Sequence, residues 1–152
     1  MSITYSVTLD KLIKEFKLNE FYVPSEAVST EIKITSTDVN RPGLQLNGFF
    51  DFFDRSRIQI IGKSEMAFLQ KFKDDEIAAK VDKYFSYKPP LIIISTSLEP
   101  LPQMLESAKK YGIPLYGTSE KTSSFMSGLI STLNVDLAPR QTCHGVLVEV
   151  LK

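Results

Sequence analysis

Tryptophan is absent from this chain, and cysteine and histidine occur once each, at Cys143 and His144. A lone thiol excludes an intramolecular disulfide and fits a reducing compartment. One His and one Cys cannot supply the four-ligand sets that structural zinc needs, so no metal site is expected. Charge of one sign is also lacking: Lys and Arg total 18, as do Asp and Glu. No net field draws the chain to nucleic acid or to a membrane surface. Apolar runs such as Leu91–Ile94 fall far below the ~20 residues of a membrane span. The N-terminal stretch lacks the apolar core of a secretory signal. The expectation is a soluble cytoplasmic domain. With 152 residues, 43% of them hydrophobic, it can fill one core without staples.

A phosphate loop of the form G-x-x-x-x-G-K-S/T is missing as well. Gly43 and Gly48 have the spacing, but Phe49 and Phe50 follow; Gly112 and Gly117 have it too, followed by Thr118 and Ser119 without a lysine. Both fail at the residue that must reach the phosphates. The dinucleotide fingerprint G-x-G-x-x-G does not occur. No nucleophile–base pair is evident either. Cys143 and His144 are adjacent, and in a strand their side chains would point to opposite faces.

What is present is unevenly distributed. The segment from Asn40 to Phe53 holds Arg41, Pro42, Gly43, Gly48 and four phenylalanines, Phe49, Phe50, Phe52 and Phe53. Four aromatics in five positions cannot all face one core; some pack beneath a neighbouring element, as in an ordinary split core, or form an exposed apolar patch that marks an interface. Three of the four arginines, Arg41, Arg55 and Arg57, lie in or beside this segment, and Arg140 lies near the end. A guanidinium offers a planar fork for carboxylate or phosphate. Its ordinary use is to pin loops through Asp38, Asp51 or Asp54; its sharper use is an anion site. Hydroxyls between Thr118 and Ser124 either cap the following helix or meet an anion at its free backbone N–H groups.

Periodicity gives the elements. Thr8 caps a helix whose Leu9, Leu12, Ile13 and Phe16 share a face. Phe21–Val23, Ile32–Ile34, Ile58–Ile61, Leu91–Ile94, Leu115–Tyr116 and Val146–Leu151 read as strands, and Ser36–Asn40 as loop. Helices are expected from Ser64, from a cap at Asp74, after Pro100 and Pro102 up to Gly112, and over Lys121–Leu137. The alternation from Leu91 onward predicts an α/β fold with a small, mainly parallel sheet flanked by helices.

Three blocks occur in order: Asn40 to Phe53, Arg57-Ile58-Gln59-Ile60-Ile61-Gly62, and Ala138-Pro139-Arg140-Gln141-Thr142-Cys143-His144-Gly145-Val146-Leu147-Val148. Together they resemble the N-terminal half of the bacterial HPr kinase/phosphorylase family, which phosphorylates and dephosphorylates a serine of the sugar-transport phosphocarrier HPr. The resemblance implies a sheet similar to the N-terminal domain of some Mur ligases, homo-oligomers (hexamers in the family), and HPr as partner of the full-length protein. His144 matches a position that the family counts in its active site. ATP and magnesium are implied only for the P-loop kinase domain that follows in the family. By this comparison residues 1–152 form the N-terminal domain alone, as a truncated or naturally short chain without cofactor or phosphotransfer of its own. Its expected role is regulation or assembly within carbon catabolite control. The alternative is a stand-alone ligand-sensing module, in which Arg41, Arg55, Arg57 and Arg140 converge with Thr118–Ser124 on a phosphorylated metabolite or nucleotide sugar.

Overall fold

The protein is seen in a computed structural model that describes residues 6–25 and 32–138. The expected strand Val146–Leu151, with Arg140, Cys143 and His144, lies outside the described residues.

Strand β1 (Val7–Thr8) leads into helix α1 (Leu9–Phe16). Thr8 is extended, and its hydroxyl accepts from the Lys11 N–H, so the cap forms as its chemistry dictates. Then come β2 (Asn19–Tyr22), β3 (Lys33–Ile34), β4 (Val39–Asn40) and a single turn, α2 (Gly43–Leu46). Strand β5 (Ile58–Ile61) precedes α3 (Lys63–Leu69) and α4 (Asp74–Phe85). The remaining elements are β6 (Ile92–Ile94), α5 (Pro102–Tyr111), β7 (Leu115–Gly117) and α6 (Thr122–Asp136). Helix α5 begins at Pro102, where a missing N–H does no harm, and stops at Gly112, whose φ of 69° suits glycine.

Among the described residues five strands form one sheet in the order β2-β7-β6-β5-β4. Strands β4 to β7 are parallel, and β2 lies antiparallel on the β7 edge. β1 and β3 make a separate antiparallel pair. The period of two assigns every strand residue to a face. Ile58, Ile60, Ile93 and Tyr116 pack with α1 and α6 through Leu9, Leu12, Phe125, Leu129 and Leu133. Ile61, Ile92, Ile94 and Leu115 pack with α2 to α5 through Leu46, Leu69, Val81, Phe85 and Met104. With both faces covered, the central strands read as continuous isoleucine, as buried parallel strands do.

Two expectations need correction. Val39–Asn40, read as the end of a loop, is the parallel edge strand β4, in register with Ile58 and Gln59. Two residues are too few for a pattern, and pairing to β5 supplies the order. Asp74 is not the cap of α4: Lys73 occupies that place, and its N–H donates to the Glu76 carboxylate at 3.0 Å. The acids act from inside the first turn, where the helix dipole favours them.

Candidate functional site

Strands β4, β5, β6 and β7 all end at one edge of the sheet, so their following residues are neighbours. Successive parallel strands step in one direction with helices on one face, but after β7 the chain passes to the other face as α6. Where helices flank the carboxyl ends from opposite faces, a crevice opens, the usual ligand position in open α/β sheets. Here α3 and α6 meet across Gly62. A Cβ on Gly62 would stand 2.6 Å from Thr122 Oγ1 and 3.1 Å from Arg41 Nη2, so only glycine fits without displacement. Thr122 Oγ1 in turn lies 2.5 Å from Ser95 Oγ, at the end of β6.

Arg41 follows β4 and is gripped by Glu65, which is only 4% exposed. Arg41 Nε donates to Oε2 at 3.1 Å and Nη2 to Oε1 at 2.7 Å. Oε1 also accepts the Gly62 N–H at 2.7 Å. The carboxylate therefore closes the start of α3 and fixes the guanidinium plane at the same time. Beneath this pair lies a polar chain: Asn40 Nδ2 donates to the side-chain oxygens of Gln45 and Gln59, and the Tyr84 hydroxyl donates to Gln59. Burial, and behind it the Glu65 charge, raises the Tyr84 phenol well above its ordinary 10.0.

The cleft above holds about 360 Å³ and is lined by Arg41, Lys63, Ser64, Thr96, Lys121, Thr122 and Ser123. Lys63 and Lys121 are exposed and form no ion pair among the described residues. Thr96 and Ser97 both adopt left-handed backbone, with φ of 60° and 55°. For a β-branched residue this is an outlier. It is held by Thr96 N–H to Glu120 O at 2.8 Å and Ser97 N–H to Thr118 O at 2.9 Å. A second hollow of about 510 Å³ shares Lys63 and is otherwise walled mainly by Met66, Ala67, Leu98, Pro100 and Leu101, with Gln70 and Glu99.

Of the arginines singled out in the sequence, Arg41 alone among the described residues reaches the Thr118–Ser124 segment. Arg55 is exposed and donates to the Tyr87 carbonyl at 3.4 Å. Arg57 lies between Asp38 and Asp54, each at 3.6 Å. Ser56 hydrogen bonds, and then Arg57, hold the Asp54 carboxyl below its ordinary value. Arg140 and His144 lie outside the described residues. The aromatic segment is split. Phe50 stacks on Tyr87 at 4.3 Å between ring centres, and Phe53 meets Tyr84 and Tyr87. Phe49 is 46% exposed and Phe52 102% exposed. The capping role expected for the Thr118–Ser124 hydroxyls is corrected: Lys121 is the N-cap of α6, without a side-chain cap. Thr118 Oγ1 instead accepts the Glu120 N–H at 3.2 Å, shaping the preceding turn. Among the described residues no cluster of acids, His or Cys suits a metal ion, and no helix is long and apolar enough to cross a membrane.

Sequence reasoning missed Glu65, Lys63 and Thr96. For Glu65 a signal existed: an acid three residues after the glycine that ends an apolar strand is the spacing of a capping box.

The fold and its crevice define a mainly parallel α/β domain with helices on both faces and a cation-lined cleft at the carboxyl ends of its parallel strands. Residues 7–133 match the family model described as HPr Serine kinase N terminus. The chain belongs to that family. It is 44% identical over 146 residues to the HPr kinase/phosphorylase of Lachnoclostridium phytofermentans, covering 96% of this chain and 47% of the relative. It is 42% identical to that of Caldicellulosiruptor bescii, covering 96% and 46%. The chain thus spans about half the length of the curated relatives it matches. A solved structure of the CBS and DRTGG domains of the regulatory region of Clostridium perfringens pyrophosphatase, complexed with its activator diadenosine tetraphosphate, aligns with a TM-score of 0.60 at 17% identity. The alignment covers 95% of this chain and 57% of that one, and it shows a shared fold.

Proposed function

We propose that this domain is the N-terminal regulatory and assembly domain of a cytoplasmic HPr serine kinase/phosphorylase in bacterial carbon catabolite control, and that it transfers no phosphate alone. The observation that carries this reading is the extent of the match. Relatives named HPr kinase/phosphorylase cover 96% of the chain with less than half of their own length, while the sequence has no phosphate loop. HPr is the partner of the longer protein, and ATP and magnesium belong to a P-loop domain outside these residues. His144 acts, on this reading, only when that domain completes its surroundings. Incubating the chain with HPr, ATP and magnesium is expected to yield no phosphoserine by mass spectrometry; phosphoserine formation overturns the proposal. Assembly is supported by Phe52. Phe52 is fully exposed in left-handed backbone, φ 63°, so its ring gains no burial in the folded monomer while its backbone is strained. Its use is contact with a second copy, measured by sedimentation velocity.

A second reading, ligand sensing, is favoured by the cleft, whose lysines have no ion-pair partner among the described residues, and by the activator in the pyrophosphatase structure of similar fold. Sugar phosphates and nucleotides titrated against the melting temperature test it, since a ligand at 100 times its dissociation constant adds roughly 2.7 kcal/mol. A flat response across the panel removes this reading.

A further inference from the structure

The two hollows at the carboxyl ends of the sheet differ in chemistry and share one residue, Lys63. On one side stand Arg41, Lys63 and Lys121 with the hydroxyls of Thr96 and Ser123. Glu65 balances Arg41 and, being almost fully buried, serves to hold its guanidinium still. Among the described residues neither Lys63 nor Lys121 has an ion-pair partner, which leaves their charge for a ligand. On the other side the wall is apolar, formed by Met66, Leu98, Pro100 and Leu101, with one exposed carboxylate, Glu99.

We propose that the two hollows form a single nucleotide site, the phosphates against Arg41, Lys63 and Lys121 and the base against Met66, Leu98 and Leu101. The assignment rests on the ligand-sensing reading and specifies its ligand. One held guanidinium, two exposed ammonium groups and neighbouring hydroxyls suit phosphate oxygens. A planar base suits an apolar wall containing an adaptable Met. Glu99 decides between ligand shapes. A compound with phosphate at both ends would bring one of them towards this carboxylate, an unfavourable like-charge approach. A nucleotide carries its charge at one end only, and its uncharged base can donate hydrogen bonds to Glu99. The left-handed pair Thr96 and Ser97 directly precedes Leu98, so one short stretch contributes Thr96 to the cleft and Leu98 to the apolar wall.

Calorimetric titration of the 152-residue chain with ADP, adenosine and inorganic phosphate tests the site. ADP is expected to bind more tightly than either part alone. Lys63→Ala together with Lys121→Ala is expected to weaken ADP at least about tenfold with an unchanged melting temperature, because both side chains are exposed. Leu98→Asn, which removes apolar wall without adding charge, is expected to weaken ADP and leave phosphate unaffected. Failure of ADP to bind, ADP affinity indifferent to the lysine pair, or phosphate binding as tightly as ADP each overturns the assignment. Stabilisation by glucose phosphate without ADP binding overturns the nucleotide site and leaves ligand sensing standing. No stabilisation by any of these compounds removes both.

Discussion

Arg41 and Glu65 form a two-point ion pair, at 3.1 and 2.7 Å, that joins the end of strand β4 to the first turn of helix α3. The carboxylate is buried and the guanidinium a third exposed, at 5% and 34% of the side chains. Such a pair is weak evidence of net stability, yet breaking it from one side is costly because a charge remains buried.

Arg41→Ala is therefore expected to destabilise the domain by about 3 kcal/mol, read as a lower urea midpoint. Arg41→Lys restores only part of this, since an ammonium cannot engage both oxygens of Glu65. A double variant, Arg41→Ala with Glu65→Ala, should be less damaged than the sum of its singles.

Gly62→Ala introduces a methyl 2.6 Å from Thr122 Oγ1. Thr122 is held by Ser95 and opens α6, so it cannot simply swing away. A loss of about 2 kcal/mol is expected, and Thr122→Ala in the same chain should recover part of it. Equal stability of Gly62→Ala and the parent would contradict the close approach of α6 to α3.

Tyr84 gives the domain an alkaline limit. Its folded-state value is raised, so the folded chain holds the proton while the unfolded chain releases it first. The contribution is whole below the unfolded value of 10.0 and is lost as pH rises from there towards the folded value. Tyr84→Phe should abolish this part of the slope. At neutral pH it should cost about 1 kcal/mol, because Gln59 keeps its bond from Asn40. Unfolding curves from neutral pH to above pH 10.0 measure both effects.

Phe52→Gly separates folding from assembly. Relief of the left-handed strain is expected to hold or raise monomer stability, by up to about 1 kcal/mol. Self-association measured by sedimentation velocity is expected to weaken. Unchanged association would remove Phe52 from the interface.

The sequence revealed elements whose causes are local. Thr8, Pro102 and Gly112 act on their own helices, and the isoleucine runs of β5 and β6 need no partner to be read as buried strands. It did not reveal what depends on a distant partner. β4 exists as a strand because β5 lies beside it, and Arg41 finds a carboxylate 24 positions away. The arginines looked alike as residues, but the fold sends Arg57 to Asp38 and Asp54 and Arg41 to the cleft. The aromatic segment was legible in outline: a split between core and surface was one of its readings. Which two rings would be left outside was fixed only by Tyr84 and Tyr87.

The strand order has a consequence for how the molecule comes into being. From β4 to β7 each strand lies beside its successor, so a chain emerging from the ribosome can add them one by one to an edge already laid down. Strand β2 is the exception: made early, it pairs through Glu20 with Tyr116, near the far end of the described chain. It must wait, open, until β7 arrives. Among the described strands of this sheet, the first to be synthesised is thus the last that can dock, and its closure joins the two ends of the described chain.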